Sequence, residues 1–114
     1  MLREIRFYKQ FFIDFYFKQN DHVQEKIDFV LDLIRHFPII PTKFLKKIKG
    51  TNDLYEIRVK VNKDIFRIFC FFDNGNIVIL LTGFKKKTQK LPQREIERAI
   101  KLKKEYLKEK YDSK

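Results

Sequence analysis

The stretch LYEIRVKVNKDIFRIFCFFDNGNIVILLTGFKKKT, residues 54–88, decides the fold. Tyr55, Ile57, Val59 and Val61 alternate with Glu56, Arg58 and Lys60, the period-two pattern of a strand with one buried and one polar face. Asn62-Lys63-Asp64 predicts a turn. Ile65 to Phe72 is apolar at both parities except at Arg67, which predicts a central strand covered on both sides. A charge in such a strand calls for a partner, because an unpaired ion loses its hydration with nothing in return. Asp73-Asn74-Gly75 carries residues that tolerate positive φ and predicts a tight hairpin. Ile77 to Phe84 is then the last strand, and its end runs out into Lys85, Lys86, Lys87 and Thr88. The whole stretch has no His, one Cys and no acidic pair spaced for a metal, so most hydrolytic chemistries have nothing to work with.

Working outward, Leu2 to Tyr8 sets Ile5 and Phe7 two apart, as in a short first strand. Gln10 to Gln19 places Phe11, Phe12, Phe15 and Tyr16 on one helical face. Asn20-Asp21 breaks that helix. Asp21 with Gln24 resembles a capping box, followed by Val23, Ile27, Val30, Leu31 and Ile34 on the buried face of a second helix. Phe37-Pro38 stops it, since the residue before a proline disfavours the helical region. Pro38 to Asp53 reads as an irregular basic connection pinned to the core by Phe44, Leu45 and Ile48. After Pro92, which suits a first helical turn, Ile96, Ile100, Lys103 and Leu107 line one face of a closing helix, and Tyr111 to Lys114 reads as a fraying tail. The expected architecture is α+β, one domain across residues 1–114, with a small antiparallel sheet and the order β-α-α-β-β-β-α.

Composition bounds the class. With 114 residues, 44% of them hydrophobic and thirteen Phe, the chain can fill one core but not two. The single Cys70 excludes an internal disulfide and reads as a small buried hydrophobe, consistent with a reducing compartment. No signal peptide is evident behind Arg3, Glu4 and Arg6, and no apolar run reaches the ~20 residues of a membrane span. The expectation is a cytoplasmic protein. The net charge of +11 is unevenly placed: residues 1–41 hold six Lys/Arg and six Asp/Glu, residues 42–67 eight against three, and residues 85–114 twelve against five. A basic face of this kind is the footprint of a phosphate-rich partner.

The run LYEIRV, then FRIFCFF, the N-G hairpin, an apolar strand, GFKKKTQKLP and a basic terminal helix, preceded by KKIKGTNDLYE, resembles the HigB branch of the RelE/ParE toxin superfamily, the phage-derived Gp49-like proteins. The specific likeness covers about Lys46 to Ala99. It implies a RelE-like fold, a ribosome-dependent mRNA endonuclease activity, and neutralisation by a small cognate antitoxin, usually of helix-turn-helix type. Neither a metal nor a cofactor is implied. Two departures stand out from the better-known RelE pattern. Glu56 and Arg58 occupy the strand where RelE-type enzymes set two lysines at alternate positions, and no tyrosine stands around Leu91 to Gln93.

The residues themselves agree with such chemistry. RNA is cleaved without a metal when its own 2′-hydroxyl attacks the adjacent phosphorus, provided the protein aligns the linkage, takes a proton and stabilises charge on the phosphate oxygens. Arg58 and Arg67, on neighbouring strands, suit the phosphate fork. One of Lys85, Lys86 and Lys87, crowded by other cations, is a candidate proton carrier. Lys46, Lys47, Lys49 and Thr88 are candidates for RNA contact. Glu56 is a candidate base weakened by the arginine beside it, since a cation stabilises the ionised carboxylate. Plainer readings stand beside these: an exposed Arg58–Glu56 pair, a structural role for Arg67, and solvated lysines at the loop and strand end. His22 and His36 have no spaced metal partner. Two other functions stay open, a non-cleaving RNA-binding relative and a ParE-like inhibitor of DNA gyrase.

Overall fold

A computed structural model of the chain describes residues 2–87, residue 90 and residues 92–112. Along the chain come β1 (Glu4–Phe7), α1 (Phe11–Phe17), α2 (Asp21–His36), β2 (Leu45–Lys47), β3 (Tyr55–Val61), β4 (Asp64–Asp73), β5 (Ile77–Lys85) and α3 (Gln93–Asp112). The α+β class holds, and every expected element is present in the expected order. Two details differ. The basic connection contains β2, three residues too short to show a period, which pairs antiparallel with Tyr55–Ile57. The sheet, ordered β1-β5-β4-β3-β2, is mixed, because β1 runs parallel to β5 while the other neighbours are antiparallel. No tight turn joins β1 to β5, so nothing forces them to run in opposite directions.

Strand β4 is central and buried on both sides, as its doubly apolar sequence requires. One face carries α1 and α2 over Phe12, Ile27, Val30, Ile34, Ile57, Ile68 and Leu80. The other carries α3 over Leu54, Phe69, Phe71, Ile79 and Leu81, with Ile96, Ala99 and Leu102 of the helix closing that core. Cys70 is fully buried in the first layer, and burial pushes its thiol well above the ordinary range, so it is a packing residue. A register shift between Phe69 and Cys70 re-phases β5, which lets Phe84 and Ile79 face the same layer although they are an odd number of residues apart. Gly83 is required by close approach: a Cβ there would lie 2.3 Å from Cδ2 of Phe15, whose ring packs directly on the strand.

The punctuation is mostly local chemistry. Asn20, rather than Asp21, caps α2, its side chain accepting from the Val23 N–H at 2.9 Å. Gln24, read as part of a capping box, instead donates to the carbonyls of Tyr16 and Gln19 and ties the two helices together. Asn62, Asn74 and Gly75 take the positive φ that both hairpins need. Helix α3 runs through Asp112, into the stretch read as a fraying tail. Its far half is bolted to the sheet: Tyr106 Oη donates to Asp73 at 2.7 Å, Lys110 Nζ to Asp73 at 2.8 Å, and Tyr8 Oη to Glu109 at 2.6 Å. Burial first, then these carboxylate contacts, push both Tyr8 and Tyr106 up to about 12.

Candidate functional site

Alternation puts Glu56, Arg58 and Lys60 on the α3 side of β3, and the hairpin register sets Arg58 directly opposite Arg67 and Glu56 opposite Phe69. Two like charges facing each other across a sheet are destabilising. Glu56 resolves the conflict. Its carboxylate accepts from Nη1 of Arg67 through one oxygen, while the other lies 3.7 Å from Nε of Arg58. The side chains of Glu56 and Arg67 are each only 5% exposed, whereas that of Arg58 is 32% exposed. The expected Arg58–Glu56 contact is present as a long, half-exposed pair, and the same carboxylate also makes a buried bridge across to Arg67 on the next strand. Nε of Arg67 is buried with no acceptor among the described residues, so the fork keeps an unused donor.

These groups line one hollow of about 460 Å³ together with Lys46, Lys47, Lys49, Lys86 and Ile96. Strand β2 delivers the first two lysines, with Lys46 in register with Glu56, and α3 supplies Ile96 as a wall. Lys86 arrives from the end of β5, held by its N–H donating to the Ile65 carbonyl at 2.8 Å. Partial desolvation, then the charges of Arg67 and Arg58, lower its pKa below that of an ordinary lysine.

Of the residues singled out in the sequence, Arg58, Arg67, Lys86, Lys46, Lys47 and Lys49 thus share the hollow. Lys85 and Lys87 do not line it. Lys85 is in register with Phe66, whose side chain belongs to the opposite core, and its Nζ lies 3.3 Å from Asp64. Lys87 is exposed. Lys47 also pairs with Asp53 at 2.9 Å. Thr88 lies outside the described residues. The role of Glu56 as a shared counter-ion escaped the sequence reading, although a two-residue turn over Asn62 and Lys63 implies the Arg58–Arg67 juxtaposition that demands one. Among the described residues no group of three His, Cys, Asp or Glu side chains could hold a metal ion, and no helix is long and apolar enough to cross a membrane.

The arrangement can therefore take an anion, with one carboxylate and one lysine of lowered pKa beside it. The fold is similar to that in the crystal structure of the archaeal RelE–RelB complex from Pyrococcus horikoshii OT3, with a TM-score of 0.52 and 17% identity over 73% of this chain and 93% of that one. No curated protein matches the chain. The family model described as phage derived protein Gp49-like matches residues 14–104, which includes every residue of the hollow. The chain belongs to the phage-derived Gp49-like family.

Proposed function

We propose that this protein is the toxin of a type II toxin–antitoxin pair and that it cuts messenger RNA on the ribosome in the manner of HigB-type toxins, with the RNA 2′-hydroxyl as nucleophile. The observation that carries the reading is the hollow in which Arg58, Arg67 and Lys86 converge on one carboxylate, with a buried guanidinium donor still unused. A scissile phosphate entering there takes its bonds from the exposed edge of Arg58, with the buried Arg67 guanidinium contributing its charge from behind. The 2′-oxygen forms a bond to phosphorus as the bond to the 5′-oxygen breaks, giving a cyclic phosphate and a free 5′-hydroxyl. The proton of the 2′-hydroxyl passes to the Glu56 oxygen held only loosely by Arg58, and the leaving 5′-oxygen takes one from the Lys86 ammonium. Both arginines stabilise the charge that builds on the phosphate oxygens, usually the largest single contribution.

The likeness to a RelE chain solved with RelB supports an antitoxin as partner. A cationic hollow also favours a partner that brings acidic or apolar groups to cover it. Controlled expression, with transcript 5′ ends mapped with and without translation, tests the reading: cuts confined to translated messages support it, and intact transcripts during growth arrest refute it. One observation favours a second reading. Glu56 already engages both arginines, as a protein that docks on RNA without cutting it would allow. Arg67→Ala, shown by circular dichroism to stay folded, decides between them, since an enzyme loses cleavage and growth arrest and a pure binder has no cleavage to lose.

A further inference from the structure

We propose that a second hollow, which shares Arg58 with the first, is a subsite for the nucleotide adjoining the scissile linkage, on the same single strand of RNA. The inference rests on the RNA-cutting reading above. The second hollow measures about 450 Å³ and is lined by Lys26, Lys43, Phe44, Arg58, Lys60 and Ile65 among others. It exists because β2 covers β3 only over Tyr55–Ile57. The Arg58 N–H is taken by the Phe44 carbonyl at 2.8 Å, and beyond that point the edge of β3 through Val61 has no strand beside it among the described residues. The cavity therefore wraps from the α3 face around an open sheet edge to α2, where Lys26 stands.

Its chemistry differs from that of the first hollow in two respects. The floor is apolar, made by Phe44 and Ile65, and no carboxylate lines it among the described residues. Three lysines, from α2, from the connection before β2 and from β3, surround that floor, and none of them has an acidic partner among the described residues. Lys43 Nζ sits 5.0 Å from the Phe44 ring centroid and Lys26 Nζ 4.9 Å from that of Phe29, contacts that place a cation without neutralising it. Uncompensated cations around an aromatic floor suit a base on the floor and phosphates at the rim. Arg58, shared by both walls, holds the linkage between the two positions. An acidic protein segment would meet the same lysines, but the arginine shared with the first hollow and the aromatic floor favour a continuous nucleic acid strand.

The probes are two single-stranded RNAs with 2′-O-methyl sugars, a dinucleotide and a hexanucleotide, titrated into isotope-labelled protein and followed by amide chemical shifts. The dinucleotide is expected to move Arg58, Arg67 and Lys86. The hexanucleotide is expected to move Phe44, Lys60 and Ile65 as well, and to bind about tenfold tighter, which is what one stacked base supplies. Replacing Lys26, Lys43 and Lys60 together by Ala removes that advantage, leaves dinucleotide binding unchanged, and lowers the salt slope by about 0.7 for each phosphate that is no longer neutralised. A charge-matched variant, Lys101, Lys104 and Lys108 to Ala, keeps the advantage. If the hexanucleotide moves the first hollow alone, or the triple Lys26/Lys43/Lys60 variant retains its advantage, the subsite is refuted while the RNA reading stands. If neither probe moves Arg58, Arg67 or Lys86, the subsite is refuted together with binding of a free RNA phosphate in the first hollow, while the transcript mapping above decides the ribosome-dependent reading separately.

Discussion

Removing Glu56 is the perturbation that discriminates best between a structural bridge and a working one. In Glu56→Ala the Arg67 guanidinium faces Arg58 across the sheet without the carboxylate that it donates to, and at 4% exposure it is poorly placed for water to replace that ion pair in full. Breaking a buried pair by deleting one partner costs about 3–5 kcal/mol. Against a total stability of about 5–15 kcal/mol for a domain, that is a large share. At about 4 °C per kcal/mol for a chain of this size, the expected fall in Tm is roughly 12–20 °C. The chain has no Trp, so urea and thermal unfolding are followed by far-UV circular dichroism. The same variant opens an anion site made of two arginines and Lys86. Inorganic phosphate should therefore restore stability, by about 2.7 kcal/mol at a hundredfold excess over its Kd. The double variant Glu56→Leu/Arg67→Met should regain most of the loss by apolar packing while showing no cleavage. A Glu56→Ala variant that loses less than about 1 kcal/mol, the median of an exposed pair, and ignores phosphate would refute the buried-bridge account.

Three further outcomes follow from the same geometry. In the proposed cleavage Lys86, whose pKa is lowered, would donate a proton only while charged, so cleavage should fall as pH rises through a value below the ordinary 10.5; Lys86→Ala should abolish that limb and slow cleavage by about 10²–10⁴-fold. Gly83→Ala drives a methyl into the Phe15 ring and should cost about 1–3 kcal/mol in urea denaturation, and Phe15→Leu should relieve part of it. Burial acts to raise the pKa of Asp73, but hydrogen bonds from Lys110 and Tyr106 outweigh it and leave the value lowered. Its contribution to stability is present above the unfolded pKa near 3.8 and is lost as pH falls through the lower folded value, so Asp73→Asn should flatten acid unfolding in that range.

The three long strands and three helices are legible because their periods are unambiguous: alternation in Tyr55–Val61, apolar parity on both sides in β4, and i, i+4 spacing from Val23 to Ile34. What escapes is whatever depends on partners distant in the chain. The parallel seat of β1 is decided by where α1 and α2 deposit it, and β2 is a strand only because Tyr55–Ile57 lies alongside. At the site, Arg58 and Arg67 are legible as neighbours, but Glu56 reads only as a weakened base or an exposed partner of Arg58, because alternation alone does not reveal that α3 and β2 wall in its face. Which lysine enters the hollow is likewise fixed by the end of β5, where Lys85 still obeys strand alternation and Lys86, just past the strand, turns the other way.

The parallel seating of the first strand against the last has a temporal meaning. Glu4 must wait for Ile77, and Phe7 for Leu80, so the sheet closes only after most of the chain has been synthesised. Lys86 and Ile96 come later still. Domains fold as units once their sequence is free, so a partly made copy carries its two arginines on an unfinished scaffold with neither Lys86 nor the Ile96 wall. Assembly order thus completes the hollow only when nearly the whole chain has been made.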